Sequence, residues 1–290
     1  MKQIHGIFAV TVTHFQENGE IDYAACAKHI NWLIESGVHG LLPLGATGEF
    51  SALTLEERKA FAEFAMKEVA GRVPVIIGAV STNVDVTLEV AKHAASIGAD
   101  GVMILPPPGL HPSQDEIYAF YKHISENVTL PVMIYNNPGS SGVNILPETL
   151  DKIADLPHMG FLKESTGDIM RLTRAVDELA DRLVIFCGCE SLALGAKAWV
   201  CVLANVAPAQ SARLYDLIVN QGKLEEARAL YRQILPLLRL TEETGELWQI
   251  VKYILKQRGF GTGTLRLPRQ PISEGVKAQL DELLGKADFA

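Results

Sequence analysis

Three short stretches of the chain carry side chains whose types could act together on a carbonyl compound. In "GFLKESTGD", residues 160–168, Lys163 ends an apolar run where a strand gives way to a polar turn. An ammonium among apolar groups is disfavoured relative to the free amine, and the free amine is a nucleophile towards a ketone. In "MIYNNPGSSG", residues 133–142, Tyr135 ends another such run and offers a phenol that could move the protons imine chemistry requires. In "PLGATGEFSALTLEE", residues 43–57, Gly45 and Gly48 let the backbone turn tightly, Thr47 adds a hydroxyl, and a helix N-terminus follows. Backbone N–H groups gathered in such a turn suit a carboxylate. Each feature also has a plain structural counterpart: a lysine carrying its charge past an apolar stem into water, an aromatic closing a core layer, and a common glycine–threonine turn.

Bringing the three together requires a frame, and the sequence alternates short β-branched runs with longer segments whose apolar residues recur every three or four positions. Eight strand-like runs stand at 7–12, 40–44, 74–77, 101–104, 131–135, 159–163, 183–187 and 199–203. Helical segments lie between them, two with capping signals, Thr54 before Glu57 and Ser113 before Glu116. Neither half carries a GxGxxG turn, so the pattern predicts a closed (β/α)₈ barrel rather than a doubly wound sheet. Three further helical stretches at 224–241, 247–257 and 273–284 follow, with "GFGTGTLRLPRQP" read as the linker between the last two. The expected division is 1–222 for the barrel and 223–290 for a helical domain. The crossover "GCESLALGAKA" is only about eleven residues long, so its helix must be very short or displaced.

In a barrel, catalytic groups sit at the carboxyl ends of strands, and residues alternate inward and outward along each. Alternation turns Lys163 inward with Phe161 and Met159, and Tyr135 inward with Met133. Neighbouring strands lie about 4.8 Å apart, so the amine and the phenol can meet. Glu164 then points away from the shaft as a structural residue, and Glu49 caps or braces its loop. Trp32 and Trp248 suit packing or subunit contact at least as well as substrate stacking.

Composition narrows the function. The net charge is −8 and no basic stripe gathers, which argues against nucleic acid. No apolar run approaches the ~20 residues that cross a bilayer, and "MKQIHGIFAV" lacks a signal peptide's apolar core, so the expectation is a cytoplasmic protein without a membrane partner. The four cysteines, Cys26, Cys187, Cys189 and Cys201, read as buried small hydrophobes rather than a disulfide or zinc framework. None of the eight histidines forms an HxH or HxxxH cluster, which disfavours a metal-dependent aldolase.

"GATGE", "YNNP" and "FLKEST", in this order on the second, fifth and sixth strands, together with "CG" after the seventh and "ANVAP" after the eighth, resemble the dihydrodipicolinate synthase / N-acetylneuraminate lyase family. The resemblance implies a (β/α)₈ barrel with a C-terminal helical extension, assembled as a homotetramer, that needs no metal or cofactor beyond a covalent imine with its substrate. It implies that Lys163 forms that imine with a 2-oxo acid such as pyruvate and that Tyr135 transfers protons. It assigns Ala46, Thr47, Gly188, Val200 and Ser140 to substrate binding. A protonated imine is a better electron sink than a ketone, so it eases proton loss at C3 and cleavage between C3 and C4.

Three positions depart from the synthases of that family. Ala46 replaces the first hydroxyl of a pair, Ser140 stands where an arginine clamps the second substrate's carboxylate, and Gly109 stands where a loop tyrosine belongs. A serine cannot replace a bidentate charge-assisted clamp. Ser140, Ser141, Asn137 and Asn144 offer neutral hydrogen bonding suited to hydroxyls. The expectation is therefore a lyase acting on a 2-oxo acid: a 2-keto-3-deoxy sugar acid dehydratase or aldolase, or a hydroxypyrroline carboxylate deaminase. The alternatives are 4-hydroxy-tetrahydrodipicolinate synthase and a non-catalytic 2-oxo acid sensor.

Overall fold

A computed structural model describes residues 4–286. Eight parallel strands, β1 (Gly6–Ala9), β2 (Gly40–Leu41), β3 (Ile76–Gly78), β4 (Gly101–Ile104), β5 (Val132–Asn136), β6 (Met159–Glu164), β7 (Val184–Phe186) and β8 (Ala198–Cys201), hydrogen-bond in the order β2-β1-β8-β7-β6-β5-β4-β3. A bridge between Leu41 and Val75, with Leu41 N–H donating to the Pro74 carbonyl at 3.0 Å, joins the two ends and closes a (β/α)₈ barrel.

Alternation along the strands sorts the core into two layers. Phe8, Met103, Met133, Tyr135, Phe161, Phe186 and Val200 fill the shaft, while Ile7, Ile77, Ile104, Ile134 and Leu162 pack outward against the helices. Phe186 meets Phe8 and Phe161 edge-on, at centroid separations of 5.3 and 6.1 Å. Gly40 is required there, because a Cβ at that position would overlap the Phe8 ring.

Several strands stop earlier than their apolar runs. In the run at 7–12 the regular strand ends at Ala9; Val10 and Thr11 N–H still donate to the Cys201 and Leu42 carbonyls, at 3.4 and 3.2 Å, but the Asn205 side chain takes the other groups, its Nδ2 donating to the Val10 carbonyl at 2.9 Å and its Oδ1 accepting from Val12 N–H at 3.3 Å. A buried side-chain amide thus satisfies backbone groups that a longer strand would have paired. One inward assignment also changes. Between Val132 and Met133 the β5–β6 register shifts by a residue, so Val132 pairs with Met159 but Met133 pairs with Phe161. Met159 therefore packs in the outer layer, not in the shaft, while Phe161 and Lys163 keep the inward phase.

The helices are α1 (Tyr23–Glu35), α2 (Leu55–Val69), α3 (Val84–Ser96), α4 (Gln114–Asn127), α5 (Pro138–Ser141), α6 (Pro147–Ala154), α7 (Ile169–Leu179), α8 (Cys189–Leu192), α9 (Pro208–Tyr215), α10 (Leu224–Glu243), α11 (Leu247–Gln257) and α12 (Glu274–Lys286). Both expected capping boxes form, Thr54 with Glu57 and Ser113 with Glu116. The short crossover is spanned by α8, a single four-residue turn. The C-terminal helices α10, α11 and α12 pack on one another beside the barrel. Among the described residues no helix is long and apolar enough to cross a membrane.

Candidate active site

Lys163 and Tyr135 are direct register partners across β5 and β6, and the Lys163 Nζ lies 4.0 Å from the centre of the Tyr135 ring. Tyr135 is buried, 6% exposed, while Lys163 is half-buried at the carboxyl end of the shaft. Burial pushes the phenol's pKa up, but the charge of Lys163 and hydrogen bonding with Asn137, Lys163 and Ser165 outweigh it, leaving the pKa below the ordinary tyrosine value. A phenol so placed gives up its proton more readily than a free one.

The pair is held in register from the outward side. Asn136 and Glu164, each next to a member of the pair, are themselves opposite one another, and Asn136 Nδ2 donates to both Glu164 oxygens at 3.2 and 3.0 Å. Arg171 Nε donates to Glu164 at 2.8 Å, and Thr166 N–H to the same carboxylate at 2.9 Å. This ion pair is almost wholly out of water and every carboxylate lone pair has a donor, the condition under which a buried charge is tolerated. Glu164 is thus the structural residue that alternation suggested. Asn136 and Arg171 escaped sequence reasoning, although the adjacency of "YN" and "KE" on neighbouring strands was the available signal.

The loop after β5 differs from expectation in what it offers. Asn137 Nδ2 donates to the Tyr135 hydroxyl at 2.7 Å and its Oδ1 caps Ser140 N–H at 3.1 Å, so this amide orients the phenol instead of facing a substrate. The Ser141 hydroxyl is spent on the Asn137 and Val143 carbonyls, at 3.0 and 2.8 Å. Asn144 accepts from Asn136 Nδ2 at 2.9 Å. Of the four neutral groups, Ser140 is exposed with its hydroxyl uncommitted. Bonding to nearby backbone claims Ser141 and the Asn137 oxygen, while neighbouring side chains take the Asn137 amide N–H and the Asn144 oxygen.

The "GATGE" loop closes a 3₁₀ turn, Ala46–Gly48, at the end of β2. Thr47 is 5% exposed. Gly48 lies so close to the segment that follows β1 that a Cβ would stand 2.9 Å from the Thr11 carbonyl, and its own carbonyl accepts from the Thr13 hydroxyl at 2.8 Å. Neither Ala46 N–H nor Thr47 N–H donates to another backbone group among the described residues, which leaves two donors for an anion. Glu49 braces the loop: its carboxylate pairs with Lys252 of α11 and accepts from Arg266 N–H at 3.2 Å. Trp248 Nε1 donates to the Ala46 carbonyl at 2.8 Å. These ties come from α11 and from the segment read as a linker.

Gly188 caps α8, where a Cβ would collide with the Glu190 carboxylate. Val200 is 8% exposed in the shaft, one inward position beyond Ala198, which lies level with Phe186 and hence with Lys163. Burial raises the pKa of Glu242, at the end of α10, and Glu190 adds to the rise while Lys163 opposes it, so Glu242 lies within electrostatic reach of both Glu190 and the amine. At Gly109, φ is +78° and nothing lies within 4 Å of a Cβ position. Among the described residues no cluster of three or more His, Cys, Asp or Glu could hold a metal ion.

A model of the dihydrodipicolinate synthetase family matches residues 3–287. A 4-hydroxy-tetrahydrodipicolinate synthase of Psychrobacter sp. (strain PRwf-1) is 34% identical over 285 residues, 96% of this chain and 93% of its own. One of Kosmotoga olearia is 36% identical over 281 residues, 94% of each chain. Among solved structures, a putative dihydrodipicolinate synthetase from Pseudomonas aeruginosa superposes with a TM-score of 0.93 at 35% identity, covering 98% of this chain and 99% of that one. The chloride-inhibited dihydrodipicolinate synthase from Acinetobacter baumannii complexed with pyruvate does so with a TM-score of 0.94 at 28% identity, covering 99% and 100%. Barrel and likenesses together define a class I enzyme of the Schiff-base lyase and synthase type. The chain belongs to the dihydrodipicolinate synthetase family, whose enzymes act through a Schiff base with pyruvate and use no metal.

Proposed function

We propose that Lys163 condenses with the keto carbon of a 2-oxo acid, pyruvate being the simplest, releasing water and leaving an imine at the end of the shaft. Tyr135 carries protons to and from the reacting atoms, and the Ala46–Thr47 loop receives the acid's carboxylate. Gly188 and Val200 flank the bound acid, and Ser140 faces its far end. The observation that carries this reading is the amine lying over the phenol at matching height on neighbouring strands. Its first test is borohydride reduction with pyruvate, read by intact mass. A single adduct, lost in Lys163→Ala, is expected, and the absence of any adduct with pyruvate or longer 2-oxo acids would leave the sensor.

Two readings of the second reactant have separate support. The names of the relatives favour 4-hydroxy-tetrahydrodipicolinate synthase, which joins pyruvate to aspartate semialdehyde, and on likeness alone this reading is the better backed. The residues at the mouth favour a lyase for a hydroxylated 2-oxo acid. Ser140 brings no positive charge to a second carboxylate, Gly109 brings no side chain, and Glu190 and Glu242 would repel an anionic end. Assay of pyruvate with aspartate semialdehyde, beside 2-keto-3-deoxy acids and hydroxypyrroline carboxylates, chooses between them. Efficient condensation with the semialdehyde overturns the lyase reading, and turnover of a hydroxylated acid alone overturns the synthase.

The same proposal covers the setting of the enzyme: residues 1–222 form the barrel domain, 223–290 the helical one, and the protein is a cytoplasmic homotetramer. Exposed apolar side chains on neighbouring elements, Met170 at 74% and Leu194 at 41%, support a subunit contact. One structural relative is titled a monomeric variant, so light scattering is the deciding measurement.

A further inference from the structure

Besides the Thr13 hydroxyl on Gly48 and its own turn, the loop that would take the substrate carboxylate is tied to residues some two hundred positions away in the sequence. Its carbonyl at Ala46 accepts from Trp248 Nε1 at 2.8 Å, its Glu49 pairs with Lys252, and Arg266 N–H donates to Glu49. Arg266 also donates to the Ala52 carbonyl at 2.9 Å and forks onto Glu57 at the start of α2, at 2.7 and 2.6 Å. Arg269 lies over the Trp248 ring, its guanidinium carbon 3.4 Å from the ring centre, which fixes the plane of the indole. Of these ties, only the one from Trp248 reaches the peptide that separates Ala46 from Thr47.

A peptide unit is planar and trans, so its C=O and the following N–H point in opposite directions. A donor that holds the Ala46 carbonyl from the α11 side therefore turns the Thr47 N–H the other way, away from α11. Thr47 N–H has no backbone acceptor among the described residues and so is available there. We infer that Trp248 is a positioning residue for substrate: its indole N–H holds the Ala46 carbonyl and so aims the Thr47 N–H at the carboxylate of the 2-oxo acid. This rests on the assignment of the Ala46–Thr47 loop to that carboxylate. It makes the C-terminal helices part of the binding site, although they contribute no group to the chemistry. The Glu49 N–H also donates to this carbonyl, at 2.9 Å, within the turn; loss of the indole donor therefore loosens the peptide on the α11 side rather than freeing it, and some of the affinity for the carboxylate is lost while the amine and phenol stay in place.

The test uses Trp248→Phe, which keeps an aromatic ring beneath Arg269 and removes the N–H. Borohydride trapping is followed by intact mass against the concentration of pyruvate and, separately, of methyl pyruvate, which has the ketone but no carboxylate. Loss of one hydrogen bond corresponds to about a 2- to 12-fold rise in half-saturating pyruvate. The maximal trapping rate should change by less than about twofold, since the reacting groups are untouched, and the ester's half-saturation should not move. An equal rise for acid and ester, or a fall in thermal stability with pyruvate half-saturation unchanged, gives Trp248 a purely structural role and overturns the inference. If the wild-type protein traps no pyruvate at all, the loop assignment fails and this inference falls with it. An adduct that saturates alike in wild type and variant sinks the inference alone.

Discussion

Lys163 and Lys252 are the same side chain in two settings, one at the mouth of the shaft and one in the seam between barrel and C-terminal helices. Lys252 is the more deeply buried, 1% exposed, and its ammonium is fully matched: Glu49 pairs with it, the Thr264 carbonyl accepts from it at 2.8 Å, and the Phe15 ring lies 4.2 Å away. Burial holds its pKa below the ordinary lysine value, and Glu49 opposes that fall only in part. Lys163 is half-buried against the Tyr135 phenol, and among the described residues no carboxylate stands within ion-pair distance of it, Glu242 acting on it only at longer range. If Lys163 is the imine-forming lysine, as proposed, depth of burial does not mark the reactive amine. The mark is a neighbour that can exchange protons, in place of one that fixes the positive charge.

The largest effect that would sharpen this contrast is expected from Lys163→Ala. Turnover should fall on the order of 10⁴-fold or more, as when a nucleophile is removed, with thermal unfolding little changed. A variant that kept substantial activity would break the comparison. Tyr135→Phe should reduce turnover by about 10²- to 10⁴-fold, the usual worth of a positioned acid–base group, while leaving the melting temperature near that of wild type. For Lys252→Met the loss moves from activity to stability. Leaving Glu49 buried and unmatched costs about 3–5 kcal/mol, and replacing both partners by apolar residues should recover most of it. Denaturant titration of the single and double variants checks this, and a Lys252→Met protein that stayed stable but trapped no pyruvate would contradict it.

The smallest effect concerns pH and belongs to the same seam. His14 Nε2 and His29 Nδ1 lie 3.1 Å apart, and burial pushes the pKa of His29 from 6.5 down to about 4. The folded state thus binds fewer protons than the unfolded chain between those values, so stability present above the unfolded pKa is lost as pH falls through this window. From a shift of this size the loss for His29 is on the order of 3 kcal/mol. Unfolding free energy measured from pH 7 to pH 4 should decline accordingly, and His29→Leu should flatten the slope. An unaltered slope would show that His29 does not carry it.

What could be read from the sequence follows from how local each signal is. The strands and the meeting of Lys163 with Tyr135 rest on period-two alternation, which survives as long as no residue is added. At Met159 one was, in effect, since the register shift absorbs Gly160 and reverses the face of everything before it. Asn137, Ser141 and Asn144 were misjudged for another local reason: their side chains bond to nearby groups before any substrate can claim them. The ties of Trp248, Lys252 and Arg266 to the Ala46–Glu49 loop, with Arg269 over Trp248, left no local trace, because the partners are some two hundred residues apart and the segment "GFGTGTLRLPRQP" has the composition of a linker. Only the closed barrel, which brings the C-terminal helices against the end of β2, makes a strap of it.

The comparison of the two lysines is tested most directly by finding which one reacts. The protein is reduced with borohydride in the presence of pyruvate, digested, and the modified peptide sequenced by mass spectrometry. The account predicts one adduct, on Lys163 within "GFLKESTGD", with Lys252 unmodified. An adduct on Lys252, or one spread over surface lysines with Lys163 untouched, would contradict it.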